Sequence, residues 1–277
     1  MGEWMKIWTI IEDTLRESVA RKILIAFPAI TTIIILFFLF VMNIDVVDGA
    51  VAMVSIMGSQ AQQRTEVAEL IVNIQSGLAV LVFTGGIFLS LFATGNFVPQ
   101  MLERGTVDLL ISKPLARWKI LLAKYLGCLL IIMINVLYLV LGVWLVLSLK
   151  TGFWNVGFLY AALTMIGVFA ILYCPVTLLG VITRSPSVAI MVTYVVVFLS
   201  PLLAQREQLT RLLSNNVHKA ILHGLYYILP KTFEMGELTR SLVAGEPIGS
   251  WMPIWSSLTF GAILLGIAMV LFARKDF

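Results

Sequence analysis

The stretch ILLAKYLGCLLIIMINVLYLVLGVWLVLSL, residues 120–149, decides the fold. Its one charge, Lys124, stands near its start, where a long side chain can snorkel to an interface. A helix over this run would be about 45 Å long at 1.5 Å per residue. The hydrocarbon core of a bilayer is about 30 Å thick, so such a helix must tilt or project beyond it. Five further apolar runs follow the same reading: 23–42, 77–95, 157–182, 188–203 and 256–273. The run 188–203 falls short of full thickness and is expected to borrow flanking residues or to be buried among its neighbours. Pro175 and Pro201 are expected to kink or end their helices, because each removes a backbone donor. A transmembrane barrel would show alternating segments of about ten residues, and the runs do not alternate. The expected fold is therefore an all-α integral membrane protein, one transmembrane domain over 1–277 with six transmembrane helices.

Composition points the same way. Hydrophobic residues make up 60% of the 277 and charged residues only 12%, with a mean hydropathy of +1.00. A soluble domain of this length lacks the interior volume to bury so much apolar surface. Cys128 and Cys174 both lie in apolar runs, so a disulfide framework is not expected. The first 22 residues mix charges with aromatics and do not read as a cleavable signal. Within 1–22, Trp4, Ile7, Trp8, Ile11, Leu15 and Val19 recur at helical spacing, with charges on other faces. This is the pattern of an interfacial helix with its tryptophans at headgroup level.

Lysine and arginine set the expected orientation. With a cytoplasmic N-terminus, the inner segments hold 12 of the 19: Lys6, Arg16, Arg21, Lys22, Arg104, Lys113, Arg117, Lys119, Lys124, Arg184, Arg274 and Lys275. Of the other seven, Arg206, Arg211, Lys219, Lys231 and Arg240 fall in one long outer segment, 204–255, leaving only Arg64 and Lys150. Both termini are thus expected in the cytoplasm, across a plasma (inner) membrane. The 204–255 segment itself reads as helical. Leu209, Leu212, Leu213, Val217, Ala220 and Ile221 share a face, and Tyr226, Tyr227 and Leu229 continue it to Pro230. A second short helix is expected from Thr232, as its cap, to Ala244, with Gly245 and Pro247 ending it. These would be outer-leaflet or re-entrant helices capping the bundle.

The chemistry is notable for what the spans omit. Their interior polar groups are chiefly Asn135, Tyr138, Thr164, Tyr173, Thr177, Thr193 and Tyr194. Proton- or sodium-coupled transport needs a group that changes charge, and intramembrane Asp, Glu or His usually supplies it. The two histidines, His218 and His223, stand in the outer segment without ligand-like company, so no metal site is expected. No G-x-x-x-x-G-K-[ST] phosphate loop occurs, so ATP is not bound here by that means. Thr84-Gly85-Gly86, and Ala262 with Gly266, mark places for close helix contact. An enzyme is not expected, nor a nucleic-acid partner.

The most informative stretch lies between the second and third runs: ERGTVDLLISKPLAR, residues 103–117. Gly105 can break the extension of the second span. Thr106 can cap a short new helix, whose N-terminal dipole Asp108 favours. Val107, Leu109, Leu110 and Ile111 make it apolar for a segment outside the bilayer, and Pro114 stops it. An apolar helix between charged flanks suits a surface on which another protein docks.

The run ERGTVDLLISKPLARWKILLAKYLG, Glu103 to Gly127, resembles the signature of ABC-2 type permeases, the membrane subunits of one class of ATP-binding-cassette exporter. The order of elements, with an interfacial helix, six spans and a helical outer segment before the last, is similar too. The resemblance implies that 103–117 is a cytoplasmic coupling helix held in a groove of an ATPase subunit. Its matching positions are Glu103, Gly105, Thr106, Asp108, Leu109, Leu110, Pro114 and Arg117. It further implies a homodimer energised by a separate ATPase, which would hold the ATP and Mg; this chain would carry no cofactor. The missing phosphate loop fits that division. A membrane scaffold that docks an ATPase without transport, and a stand-alone secondary transporter, are the alternative readings.

Overall fold

The computed structural model describes residues 3–47, 51–56, 59–60, 65–103, 115–212 and 216–275. Six helical stretches are long and apolar enough to cross a membrane: Ile23–Phe40, Ala68–Met101, Arg117–Thr151, Gly157–Thr183, Pro186–Ala204 and Met252–Arg274. The fold is an α-helical membrane fold. Among the described residues its other regular structure is a small antiparallel sheet between the first two spans. There β1 (Met42–Val47) pairs with β2 (Val51–Ile56), which also pairs with β3 (Ser59–Gln60) and β4 (Thr65–Glu66). The sequence reading assigned no strands to this segment. Outside the apolar core its backbone groups still need partners, and a hairpin supplies them locally.

The chain opens with α1 (Glu3–Ala20) and turns at Lys22, whose φ of 60° is left-handed. The first span is α2 (Ile23–Leu36), extended by a π-helical turn over Phe37–Val41. The second is built in pieces: α3 (Val67–Leu81), a π-helical turn over Val82–Gly86, α4 (Ile87–Thr94) and, after Gly95, α5 (Phe97–Met101). It starts some ten residues before the apolar run at 77–95, because its first turns carry Glu69, Asn73 and Gln75 and escape a hydropathy reading. The third span, α6 (Arg117–Thr151), has 35 residues, about 52 Å at 1.5 Å each. It ends at Gly152, whose φ of 73° needs glycine.

The fourth span, α7 (Gly157–Thr183), is the axis of the molecule. Two thirds (67%) of its apolar window is buried, against 11–33% for the other five. It packs against α6, the fifth span α8 (Pro186–Ala204) and the last span α12 (Met252–Arg274). Pro175 does not end α7, which continues to Thr183. Pro175 is buried within the bundle, where packed neighbours make a proline inside a span tolerable. Pro201 lies three residues before the end of α8.

The segment before the last span is helical: α9 (Arg206–Leu212), α10 (Asn216–Ile228) and α11 (Thr232–Ala244). Rather than standing apart, α11 inserts Thr232, Met235, Thr239 and Val243 among α3, α7 and α8. Thr232 does not cap it. Its first backbone donors go to side chains of two spans: Lys231 N–H donates to Ser257 Oγ and Phe233 N–H to Ser200 Oγ, each at 2.9 Å. At the other end Gly245, φ 73°, closes a left-handed cap in which Glu246 N–H donates to Ser241 O. Asn155 then ties this face together. Its amide donates to Gln75 Oε1 at 2.8 Å and to Val243 O at 3.0 Å. One end of the bundle thus carries α1, Glu103, Arg117 and Lys275, the terminal face. The opposite face carries α11 and the loop after α6.

Candidate functional site

The candidate docking segment, 103–117, is described only at its two ends. Gly105, Thr106, Asp108, Leu109, Leu110 and Pro114 lie outside the described residues. Glu103 and Arg117 are described, and both stand on the terminal face, where the bundle holds the entry and the exit of the segment.

The entry is α5. Phe97 and Val98 are fully buried, and Met101 and Leu102 nearly so. Tight backbone approaches seat it: a Cβ on Gly180 would meet Pro99 at 3.3 Å, and one on Gly95 would strike Ile190 at 2.5 Å. Two cations flank the Phe97 ring, the Arg21 guanidinium 5.0 Å and the Lys124 ammonium 5.2 Å from its centroid. Both are paired to one carboxylate, with Arg21 Nη2 donating to Glu17 Oε1 at 2.6 Å and Lys124 Nζ to Glu17 Oε2. One acid and two bases against an aromatic face leave the trio at +1, and the ring's negative quadrupole takes up part of that surplus.

This clamp joins three elements. Glu17 and Arg21 come from α1 and the turn after it, Lys124 from the third span and Phe97 from the exit of the second. Lys124 therefore does not snorkel freely; its side chain is 10% exposed and committed. The remainder of α1 is docked just as closely. A Cβ on Gly127 would come within 2.8 Å of Thr14, and the contact line is Ile10, Thr14 and Ser18, all at 0–2% exposure. Trp4 and Trp8 stay exposed. The apolar-periodicity reading named neither Thr14 nor Ser18, since small hydroxyls buried at a glycine carry no hydropathy signal.

The exit is tied to the C-terminus. Arg117 Nη1 donates to Lys275 O at 2.8 Å, and Lys275 Nζ donates to Val181 O at 2.5 Å. Burial, with the Arg184 charge nearby, holds the Lys275 amine below its ordinary range. The two ends of segment 103–117 are consequently braced on α1, α6, α7 and the end of α12.

Between the second and fifth spans lies a cavity of about 140 Å³, closed on one side by α11. Val80, Phe83, Thr84, Ile87 and Phe88 line it from the second span, Val197 and Pro201 from the fifth, and Phe233, Gly236 and Glu237 from α11. The two spans meet along an aromatic seam. Phe88 lies 4.6 Å from Tyr194 and 5.3 Å from Phe198, and Tyr194 Oη donates to Phe88 O at 2.8 Å. The lining is apolar, with Thr84, Thr232 and the single carboxylate of Glu237 as its polar points. Near the start of α11, Arg206 stacks 3.6 Å from the Tyr226 ring and Lys231 sits 4.5 Å from it, with Glu234 beside Arg206 at 3.9 Å. Burial, reinforced by the Glu234 carboxylate, pushes the Tyr226 phenol up to about 12. Burial also lowers the Lys231 amine.

Six spans able to cross a membrane, packed around one buried helix, with the two ends of 103–117 braced on the terminal face and an apolar cavity between the second and fifth spans, define a multi-pass membrane protein. The defining pattern of the ABC-2 family transporter proteins matches residues 8–277, and the chain belongs to that family. It is thus a permease subunit of an ABC transporter, a family whose members work with an ABC ATPase. No match is found among curated proteins.

Proposed function

We propose that this chain is the membrane half of an exporter, a homodimer energised by two copies of a separate ATPase that holds the ATP and Mg. The terminal face is cytoplasmic in a plasma (inner) membrane, and 103–117 is the coupling helix. Glu103, Gly105, Thr106, Asp108, Leu109, Leu110, Pro114 and Arg117 form the docking surface. Closure of the ATPases on ATP pushes that surface. The push enters the bundle through α5, whose Phe97 is locked to α1 and α6, and through Arg117, locked to the last span. The observation that carries this reading is the clamp of Glu17, Arg21 and Lys124 on Phe97. It makes the exit of the second span part of a rigid unit, which a loop resting idly on a membrane does not need.

The substrate path follows the second and fifth spans, where the 140 Å³ cavity lies. Its apolar lining with a few hydroxyls and one carboxylate suits an amphipathic cargo. Replacing Leu109→Arg/Leu110→Arg puts two charges on the apolar docking face. The double variant should still insert and fold, but lose co-purification with the ATPase and substrate-stimulated ATP hydrolysis. Retention of both would overturn the coupling assignment. Retained association with no substrate-stimulated hydrolysis, in the unaltered complex, would mark a scaffold instead of a transporter.

A further inference from the structure

A second and larger cavity, about 210 Å³, lies among the first four spans, apart from the path between the second and fifth. Its walls are almost wholly apolar, and three polar side chains interrupt them: Thr31, Ser90 and Asn135. Asn135 is buried at 5% exposure. Its amide nitrogen donates to Ile131 O at 2.7 Å, and its Oδ1 has no partner. An orphaned acceptor in an apolar wall is costly to keep, and a donor brought by a ligand would relieve it. Two further features make room for one. The wall from the second span includes Val82, Gly85 and Gly86 of its π-helical turn, a distortion that often marks functional positions in helices. Gly85, in that turn, faces open space, with no atom within 4 Å of where a Cβ would stand.

We infer that this cavity is a binding site for a small apolar molecule bearing one hydrogen-bond donor, a hydrophobic alcohol or phenol, whose hydroxyl reaches Asn135 Oδ1 by a small shift of that side chain toward the cavity. Size sets the upper bound. A dry cavity of 150 Å³ holds benzene, so this one takes on the order of eight to ten heavy atoms. Position excludes a lipid headgroup. Asn135 stands at the middle of α6, Arg117–Thr151, about 25 Å along the helix from either end. A headgroup hydroxyl does not reach that depth, and an acyl chain offers no donor. Entry from the bilayer runs beside Ile30, Leu81 and Leu89, which line the cavity and are exposed to 47%, 64% and 43%.

The test needs no ATPase, so it stands or falls apart from the exporter reading. The full chain in nanodiscs is titrated with 4-ethylphenol and with 4-ethyltoluene, equal in heavy atoms and differing in the donor. Binding is followed by ligand-observed NMR, with empty nanodiscs as the partition control. The phenol should bind about tenfold more tightly than the hydrocarbon, the difference one hydrogen bond to an orphaned acceptor makes. Asn135→Leu should reduce that ratio to about one. Gly85→Leu, whose Cβ meets no atom within 4 Å and whose side chain takes up cavity space, should weaken both compounds and guards against a misfolded Asn135 variant. Equal affinity for the two compounds, or a tenfold preference that survives Asn135→Leu, would overturn the inference.

Discussion

Gly127 shows how one missing side chain positions an element. Alanine there would gain roughly 1 kcal/mol of helix propensity. Its Cβ would sit 2.8 Å from Thr14, closer than carbon atoms tolerate, so α1 would have to move. Overpacking of this kind costs about 1–3 kcal/mol, enough to outweigh the propensity gain. Gly127→Ala is expected to lower the Tm of the purified protein and to make α1 more sensitive to limited proteolysis. Tyr226 gives a residue-scale prediction in pH. Its phenol is raised from an ordinary value of 10 to about 12, so the folded state favours the neutral form. That contribution is complete below pH 10 and is lost as pH rises from 10 through 12. Tm should fall over that window, and Tyr226→Phe, which keeps the ring under Arg206, should make the fall shallower.

At the scale of elements, side chains from one helix complete the ends of another. The N-terminus of α11 is finished by Ser200 of the fifth span and Ser257 of the last. Its other end reaches α3 through Asn155, which holds both Gln75 Oε1 and Val243 O. Gln75 is fully buried, and its Nε2 already has no partner. Asn155→Leu strips the remaining bond from that amide and is expected to cost about 2–3 kcal/mol. Gln75→Leu/Asn155→Leu removes both polar groups together. The double variant should be less destabilised than the sum of the single ones, and a double-mutant cycle on Tm measures the coupling.

For the whole molecule, the proposed orientation is checked by labelling. Both native cysteines are buried, so engineered thiols report on a quiet background. With the terminal face cytoplasmic, Met5→Cys in intact cells should resist an impermeant maleimide, and Ser250→Cys on the opposite face should react. The reverse pattern would invert the topology and place 103–117 where no cytosolic ATPase can reach it. The clamp on Phe97 bears on the same scale, because it makes α1, α5 and the start of α6 a single mechanical body at that face.

Much of this was legible in the residues. The six spans stand out because desolvating a polar backbone demands long apolar helices, and hydropathy registers that demand directly. Thr232–Ala244 was legible from Gly245 and Pro247, which stop a helix by local chemistry alone. Other features were not. The second span's early turns hide behind Glu69, Asn73 and Gln75, and Asn155, the partner of Gln75, lies across the bundle. Thr14 and Ser18 went unnamed although both are fully buried, because small hydroxyls packed near a glycine carry no hydropathy signal. Pro175 was expected to kink or end its helix, yet α7 runs on through it to Thr183, packed among helices that are far away in sequence. The sequence by itself determined that the chain lives in a bilayer, how often it crosses, and which run between the second and third spans resembles a coupling helix; these depend on composition and near neighbours. Only the tertiary structure decided that α7 is the axis, that Glu17 joins Arg21 and Lys124 against Phe97, and that Asn135 is left with an unfilled acceptor beside a cavity. Those depend on residues brought together from distant helices, where close packing decides which polar groups find partners and which do not.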